Sequence, residues 1–280
     1  MDLGEKFKLI RKQRKLTLAE ISKVAGSSSS ISDFENGKTL LSIDVLNKLL
    51  EYMLVDPNEF YSSTYPTNND SSIIFEINQI CQQGDISLYP RCMEILDVEY
   101  KKTNLYAYRI LYMNLSILYD YETTDTYNKE FLAETIDYLF SLNIWTTFDI
   151  SIYGNIVVLL PSNTTYLLTK ELLKELPAAP TSSHDRILLD TINNSVFALL
   201  EQNDLHSAHT IYLQLEKLAL PRTFLMQSLT IKFINCIILY MQGDKEQSLA
   251  LVKDVLHVIE ILLSPEDALD WKASFNELVK

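Results

Sequence analysis

Six cations stand between residues 6 and 15 with no acid among them: Lys6, Lys8, Arg11, Lys12, Arg14 and Lys15. At that density, on a segment short enough to be one helix, they suit a polyanion, because each phosphate neutralised releases condensed counterions. A second pattern runs through the rest of the chain. Asparagine recurs inside apolar runs, as Asn78 in FEINQI, Asn114 in YMNLSIL, Asn155 in IYGNIVVLL, Asn194 in INNSVFALL and Asn235 in FINCIIL, at intervals of 36, 41, 39 and 41. An amide both donates and accepts, so a row of amides can pair with the N–H and C=O groups of an extended peptide. Leaving one buried and unpaired costs about 1–3 kcal/mol. Both sets offer binding chemistry. No phosphate loop, nucleophile elbow or paired-carboxylate motif accompanies them, so no catalysis, cofactor or metal site is expected.

The charge balance separates the two sets. Residues 1–66 hold nine Lys/Arg and nine Asp/Glu, so the net charge of −13 lies entirely beyond residue 66. A cationic patch on an otherwise anionic chain predicts a polyanion partner for one end only. The 280 residues leave room for a small module and a larger domain. Six Gly and eight Pro are too few for the many tight turns of a sandwich, so long helices are expected. Cys81, Cys92 and Cys236 are scattered, which is neither a disulfide framework nor a zinc site and fits a reducing cytoplasm. The first residues are too charged for a signal peptide. No apolar run is expected to reach the ~18 residues of a membrane span.

The elements that position the cations read as a compact bundle. Leu3, Phe7 and Ile10 recur at helical spacing, which leaves the basic residues largely on the other faces. Thr17 and Glu20 make a capping-box pair that opens a second helix, with Ile21 and Val24 inward and Gly26 as its break. SSSSISDFENGK gives a third helix burying Ile31 and Phe34 and stopping at Gly37; SIDVLNKLLEYM gives a fourth; Asp56 caps a short fifth with Pro57 at its first position. LIRKQRKLTLAEIS, Gly26, SSISDFENGK and LNKLLEYMLVDPNEF together resemble the lambda-repressor-like, XRE-type helix-turn-helix domain. That resemblance implies that residues 28–36 enter the major groove, with Ser28, Ser29, Ser30, Ser32 and Asp33 toward bases or phosphates, and with Arg11, Arg14, Lys15 and Lys38 near the backbone. Leu18 stands where many relatives carry Gln, and the recognition helix has no Arg or Lys. Direct guanine readout is therefore expected to be modest, with phosphate contacts and DNA shape carrying more.

Residues 61–72, YSSTYPTNNDSS, are polar and turn-forming, and 63–72 read as a linker between domains 1–62 and 73–280. Beyond it, polar breaks at Gly84, Thr124, Ser162, Asn203 and Gly243 recur at 40, 38, 41 and 40 residues. They share their period with the asparagines. The reading is five stacked helix pairs whose first helices carry the amides, closed by a capping helix after Ser264. The pairs resemble degenerate tetratricopeptide repeats. In such an array Asn114, Asn155, Asn194 and Asn235 would line a groove, with Ile152 and Val158, Phe197, and Ile231 and Ile238 receiving peptide side chains. Lys232 would meet a peptide carboxylate. Asn193 and Asn194 are adjacent, and the sequence leaves open which one faces the groove. Interhelical amide packing is the alternative for each asparagine. His206, His209 and Glu216 read as solvated side chains rather than metal ligands; Trp145, Phe148 and Tyr153 as core; Cys236 as a small core residue, with a redox-sensitive lining group as the alternative.

The whole chain, and SSISDFENG and WTTFDISIYGNIVVLL most of all, resembles the Rgg/GadR/MutR group of Gram-positive transcriptional regulators. That resemblance implies an all-α chain: a lambda-repressor-like helix-turn-helix bundle, a right-handed α-solenoid of about five helix pairs, and a C-terminal capping helix. It implies a cytoplasmic homodimer that binds double-stranded DNA near its own or neighbouring genes and takes a short peptide pheromone as ligand, with Tyr153 among the peptide-binding residues. Some relatives join their DNA-binding domains by a disulfide, which residues 1–66 cannot make for want of a cysteine. A repeat domain that binds a protein partner or small molecule, or a scaffold without DNA binding, are the competing expectations.

Overall fold

A computed structural model of the chain describes residues 2–62, 77 and 85–280. The chain divides into two units, Met1–Gln79 and Ile80–Lys280. The expected linker, Asn78, Cys81 and Gly84 lie outside the described residues.

The first unit holds α1 (Leu3–Gln13), α2 (Leu18–Ile21), α3 (Ser28–Glu35), α4 (Ile43–Tyr52) and α5 (Pro57–Ser62). Each start from α2 onward follows from a cap. Thr17 and Glu20 make the expected reciprocal box; Ser27 makes another with Ser30; Ser42 caps α4; and Asp56 accepts from the Asn58 and Glu59 backbone ahead of α5. Left-handed glycines at Gly26 (φ 77°) and Gly37 (φ 70°) turn the chain before and after α3, where a Cβ would strain the backbone. Phe7, Ile21, Ile31, Phe34, Leu49, Leu50, Met53 and Phe60 form the core, with Phe7 and Phe34 edge to face at 5.6 Å. A Cβ on Gly4 would sit 1.9 Å from the Phe34 carbonyl oxygen, so α1 can approach α3 this closely only without a side chain there. Val24 departs from expectation. The α2 helix ends at Ile21, and Val24, on the turn beyond it, is 37% exposed.

In the second unit run α6 (Tyr89–Thr103), α7 (Tyr106–Thr124), α8 (Lys129–Phe140), α9 (Thr147–Ile156), α10 (Ser162–Glu175), α11 (Ser183–Glu201), α12 (Leu205–Leu215), α13 (Leu225–Gln242), α14 (Lys245–Leu262) and α15 (Pro265–Leu278). The pairs α7/α8, α9/α10, α11/α12 and α13/α14 follow the predicted period, and α15 is the closing helix. Successive first helices α7, α9, α11 and α13 lie side by side. The turn residues explain the breaks. Asp125 (φ 53°), Asn203 (φ 59°) and Gly243 (φ 98°) end first helices in the left-handed region, and Asp204 and Asp244 then cap the next helix. The chain bends differently in the α9/α10 pair, where α9 stops at Ile156, a 3₁₀ turn covers Val157–Leu159, and Pro161 precedes α10.

The 21-residue stretch Arg222–Gln242 holds an 18-residue window of mean hydropathy 1.5, a length and composition that a core helix shares with a membrane span. Half of that window is buried inside the unit. It is apolar nearly all round because α13 packs on several sides, against α11, α12 and α14.

Candidate nucleic-acid interface and ligand cleft

The basic run does not form one surface. Arg11 turns inward from α1, 7% exposed, and spends its guanidinium within the head. Its Nε and Nη2 donate to Glu35 at 2.5 and 2.8 Å, and Nη1 donates to the Leu16 carbonyl at 2.6 Å. The hydrogen bond to Glu35 holds the Arg11 guanidinium above its ordinary pKa. The expected phosphate contact of Arg11 is therefore corrected: it is the bidentate clamp between α1 and the end of α3. Lys6 is also buried, donating to the Glu59 and Phe60 carbonyls over the Phe60 ring. Lys12, Arg14, Lys15 and Lys38 remain exposed. Arg14 keeps one tie, from Nε to the Met53 carbonyl at 3.1 Å, and Lys38 faces Asp33 at 3.5 Å.

On α3 the serines divide by task. Ser30 belongs to the capping box with Ser27, and Ser28 bonds the Ser22 hydroxyl at 2.9 Å and the Leu18 carbonyl at 3.3 Å, which ties the start of α3 to α2. Ser29 is exposed and reaches only the Ser27 hydroxyl, at 3.0 Å; Ser32 and Asp33 are half-buried on the same helix.

The asparagine row also divides. Asn114 is fully buried; its Nδ2 donates to the Ile152 carbonyl at 3.0 Å, and its Oδ1 accepts from Asn155 Nδ2 at 2.8 Å. The Asn114 amide is wholly committed to the joint between α7 and α9, so its expected peptide contact is corrected to an interhelical bridge, to which the half-buried Asn155 gives its Nδ2. Asn193 is 2% exposed with neither amide atom paired, whereas Asn194 is exposed and lines a cleft. Asn235 sits elsewhere. It shares a hollow of about 390 Å³ with Tyr212, Glu216, Ile231 and the exposed Lys232. Phe233, two residues away and so about 200° round the helix, faces the cleft of Asn194. Lys232 and Asn235 therefore do not continue the row begun by Asn194.

Further expected contacts are core residues, among them Ile152 (1% exposed) and Ile231 (7%). Tyr153 is fully buried, its hydroxyl among Thr169 (2.9 Å), Ser195 (3.0 Å) and the Thr165 carbonyl (3.2 Å), where burial pushes its pKa up to about 12. It pins α9, α10 and α11 together. Ile238 is 1% exposed. Cys236 is core as well: it is fully buried, its thiol donates to the Lys232 carbonyl, and burial pushes its pKa up to about 12. Among the described residues no cluster of three or more metal-ligating side chains occurs.

The cleft itself measures about 500 Å³. Gly154, Val157 and Val158 come from α9 and its 3₁₀ turn; Asn194, Phe197, Ala198 and Glu201 from α11; Thr230 and Phe233 from α13; Trp271, Ser274 and Leu278 from α15. Aromatic contacts seat α15, with Trp271 4.9 Å and Phe275 6.3 Å from Phe233, and Phe275 5.8 Å from Tyr240. Of the expected groove residues, Phe197 and Val158 line this cleft, as does Asn194 of the pair the sequence leaves open; the α15 wall is not among the expectations. Trp271, Phe275 and Leu278 fall at i, i+4 and i+7, the signal that this helix has one apolar face turned back on the array.

A bundled helix-turn-helix head followed by stacked helix pairs with a cleft on the first-helix face defines a regulator architecture. The model for the C-terminal domain of the HTH-type transcriptional regulator Rgg matches residues 93–272, and a helix-turn-helix domain model matches residues 4–66. The chain belongs to the Rgg family of HTH-type transcriptional regulators. Among solved structures it resembles the SHP pheromone receptor Rgg2 of Streptococcus dysgalactiae (17% identity, 99% of both chains, TM-score 0.78). It also resembles a protein of Listeria monocytogenes EGD-e described as a transcriptional regulator (17% identity, 99% of this chain and 97% of that one, TM-score 0.78). A third is PrgX in its complex with cCF10 (14% identity, 99% and 92%, TM-score 0.72). At these identities the likeness is one of fold.

Proposed function

We propose that this regulator is a peptide-responsive one. Its head binds double-stranded DNA near its own or neighbouring genes, and its repeat domain takes a short linear peptide in the cleft between α9, α11, α13 and α15. The observation that carries the reading is the cleft: Phe197, Phe233, Trp271 and Val158 offer an apolar floor, and Asn194 projects a donor and an acceptor from the middle of it. Rgg2 and PrgX, which share the fold, are structures of a pheromone receptor and of a complex with cCF10.

Arg14, Lys15 and Lys38 supply phosphate contacts, with Ser29, Ser32 and Asp33 facing the groove. A peptide shifts the regulator only if it binds two packing states of the repeat domain with different affinity. A homodimer is the oligomer that suits a two-fold operator. A reducing cytoplasm suits a chain whose two described cysteines are buried.

Fluorescence anisotropy on DNA upstream of its own gene, across a salt series and against scrambled DNA, tests the reading. Specific binding with a steep salt slope is expected. The Arg14→Ala/Lys38→Ala variant should flatten that slope by about 1 for each phosphate left without its cation. Affinity equal to that for scrambled DNA, with and without peptide, would refute it.

A further inference from the structure

The cleft is apolar along its floor and acidic at one end. One face of α11 carries Asp190, Asn194, Phe197 and Glu201 in successive turns, and its two acids are treated differently. Asp190 accepts from Gln227 Nε2 at 2.9 Å and is offset by the charge of Arg186. Glu201, by contrast, has no hydrogen-bonded or ion-paired partner for its carboxylate among the described residues. It lines both the cleft and an adjoining hollow, where Glu277 of α15 faces it beside Ser274, Asn203 and Lys280. Lys280 is exposed and pairs with neither acid. Burial and the negative charge of Glu277 both raise the Glu201 carboxyl pKa. Both carboxylates are exposed, and two like charges side by side at the rim of an apolar cleft make a place that favours a cation. The wider field has the same sign, since residues beyond 66 hold 28 Asp/Glu against 15 Lys/Arg.

We propose that the cleft selects linear peptides carrying a positive charge next to an aromatic or branched apolar side chain. The cation is held between Glu201 and Glu277, and the apolar group enters between Phe197, Phe233 and Trp271. This rests on the peptide reading above and specifies its ligand by charge.

The test uses full-length protein and three octapeptide libraries. All three share the same randomised apolar positions and carry N-terminal acetyl and C-terminal amide groups. They differ in one fixed terminal residue: Lys, Gln or Glu. Retained peptides are quantified by mass spectrometry, with DNA affinity and thermal melting measured on the same samples. Wild type should retain the Lys library about tenfold over the Gln library and further over the Glu library, as a charge-assisted contact predicts. The Glu201→Gln/Glu277→Gln double variant, melting as wild type, should retain all three alike. Equal or better retention of the Gln or Glu library by wild type would overturn the charge selection and leave the peptide reading intact. A Lys preference that survives in the double variant would overturn the assignment to Glu201 and Glu277. Retention of no library by protein that still binds DNA would remove the peptide reading and this inference together.

Discussion

Single side chains here have roles that their types alone do not announce. Arg11 lies in a basic run, yet the structure makes it a strut. Breaking a buried pair by removing one partner typically costs about 3–5 kcal/mol, because the other charge is left without compensation. Arg11→Ala or Glu35→Ala should therefore destabilise the head by that order in chemical denaturation, and a stability unchanged from wild type would contradict the clamp. Any loss of DNA binding in these variants would follow separation of α1 from α3, with no phosphate contact of Arg11 involved. Asn193 makes the opposite case. Its amide is buried with no partner, so replacing it by the near-isosteric Leu removes an unsatisfied group without opening a cavity. Asn193→Leu should stabilise the repeat domain by about 1–3 kcal/mol in urea denaturation. A destabilisation would mean that the amide is hydrogen-bonded in solution.

Elements are far more legible in the sequence than faces are. The capping boxes at Thr17 and Ser27 and the left-handed stops at Asn203 and Gly243 are local signals, each written in two to four adjacent residues, and the stops recur often enough to show the forty-residue period. Face assignments fail where a helix is apolar on most sides. Eleven of the nineteen residues of α11 are buried, so no narrow stripe marks which of Asn193 and Asn194 looks outward. On α13 a displacement of two residues sends Asn235 and Phe233 to opposite faces. The inward turn of Tyr153 and Ile238 escapes the sequence for the same reason. Gly4 shows how tightly two elements can depend on one atom. Gly4→Ala would drive a methyl into the Phe34 carbonyl, so α1 must move off α3. The expected loss is about 1–3 kcal/mol of head stability, the usual cost of overpacking, with a weaker Arg11–Glu35 clamp. Retention of wild-type stability in thermal melts would show that the backbone accommodates the methyl.

At the scale of the whole molecule, the two units divide the work. A charge-balanced head carries the exposed cations, and an anionic repeat domain carries the cleft. The chain has two tryptophans, of which Trp145 is 4% exposed against Tyr153 and Trp271 lines the cleft. A Trp145→Phe variant thus leaves Trp271 as its reporter. A peptide that occupies the cleft should shift the emission of this variant toward the blue as water leaves the indole, and the shift should titrate with the effect on DNA affinity. Emission that stays constant while DNA affinity responds would place the peptide elsewhere.

The Asn114–Asn155 bridge bears on how the array deforms. It ties α7 to α9 at a fixed register, as the Tyr153 hydroxyl ties α9 to Ser195 of α11 and the Gln227 amide of α13 ties to Asp190 of α11. Every joint between neighbouring first helices thus carries a polar rivet, and the stack resists sliding at each of them. A ligand that shifts one first helix against the next must stretch or break such a tie. Cutting the Asn114–Asn155 bridge would leave α7 free to slip on α9, and a displacement made at the cleft would then be lost at that joint instead of passed through it.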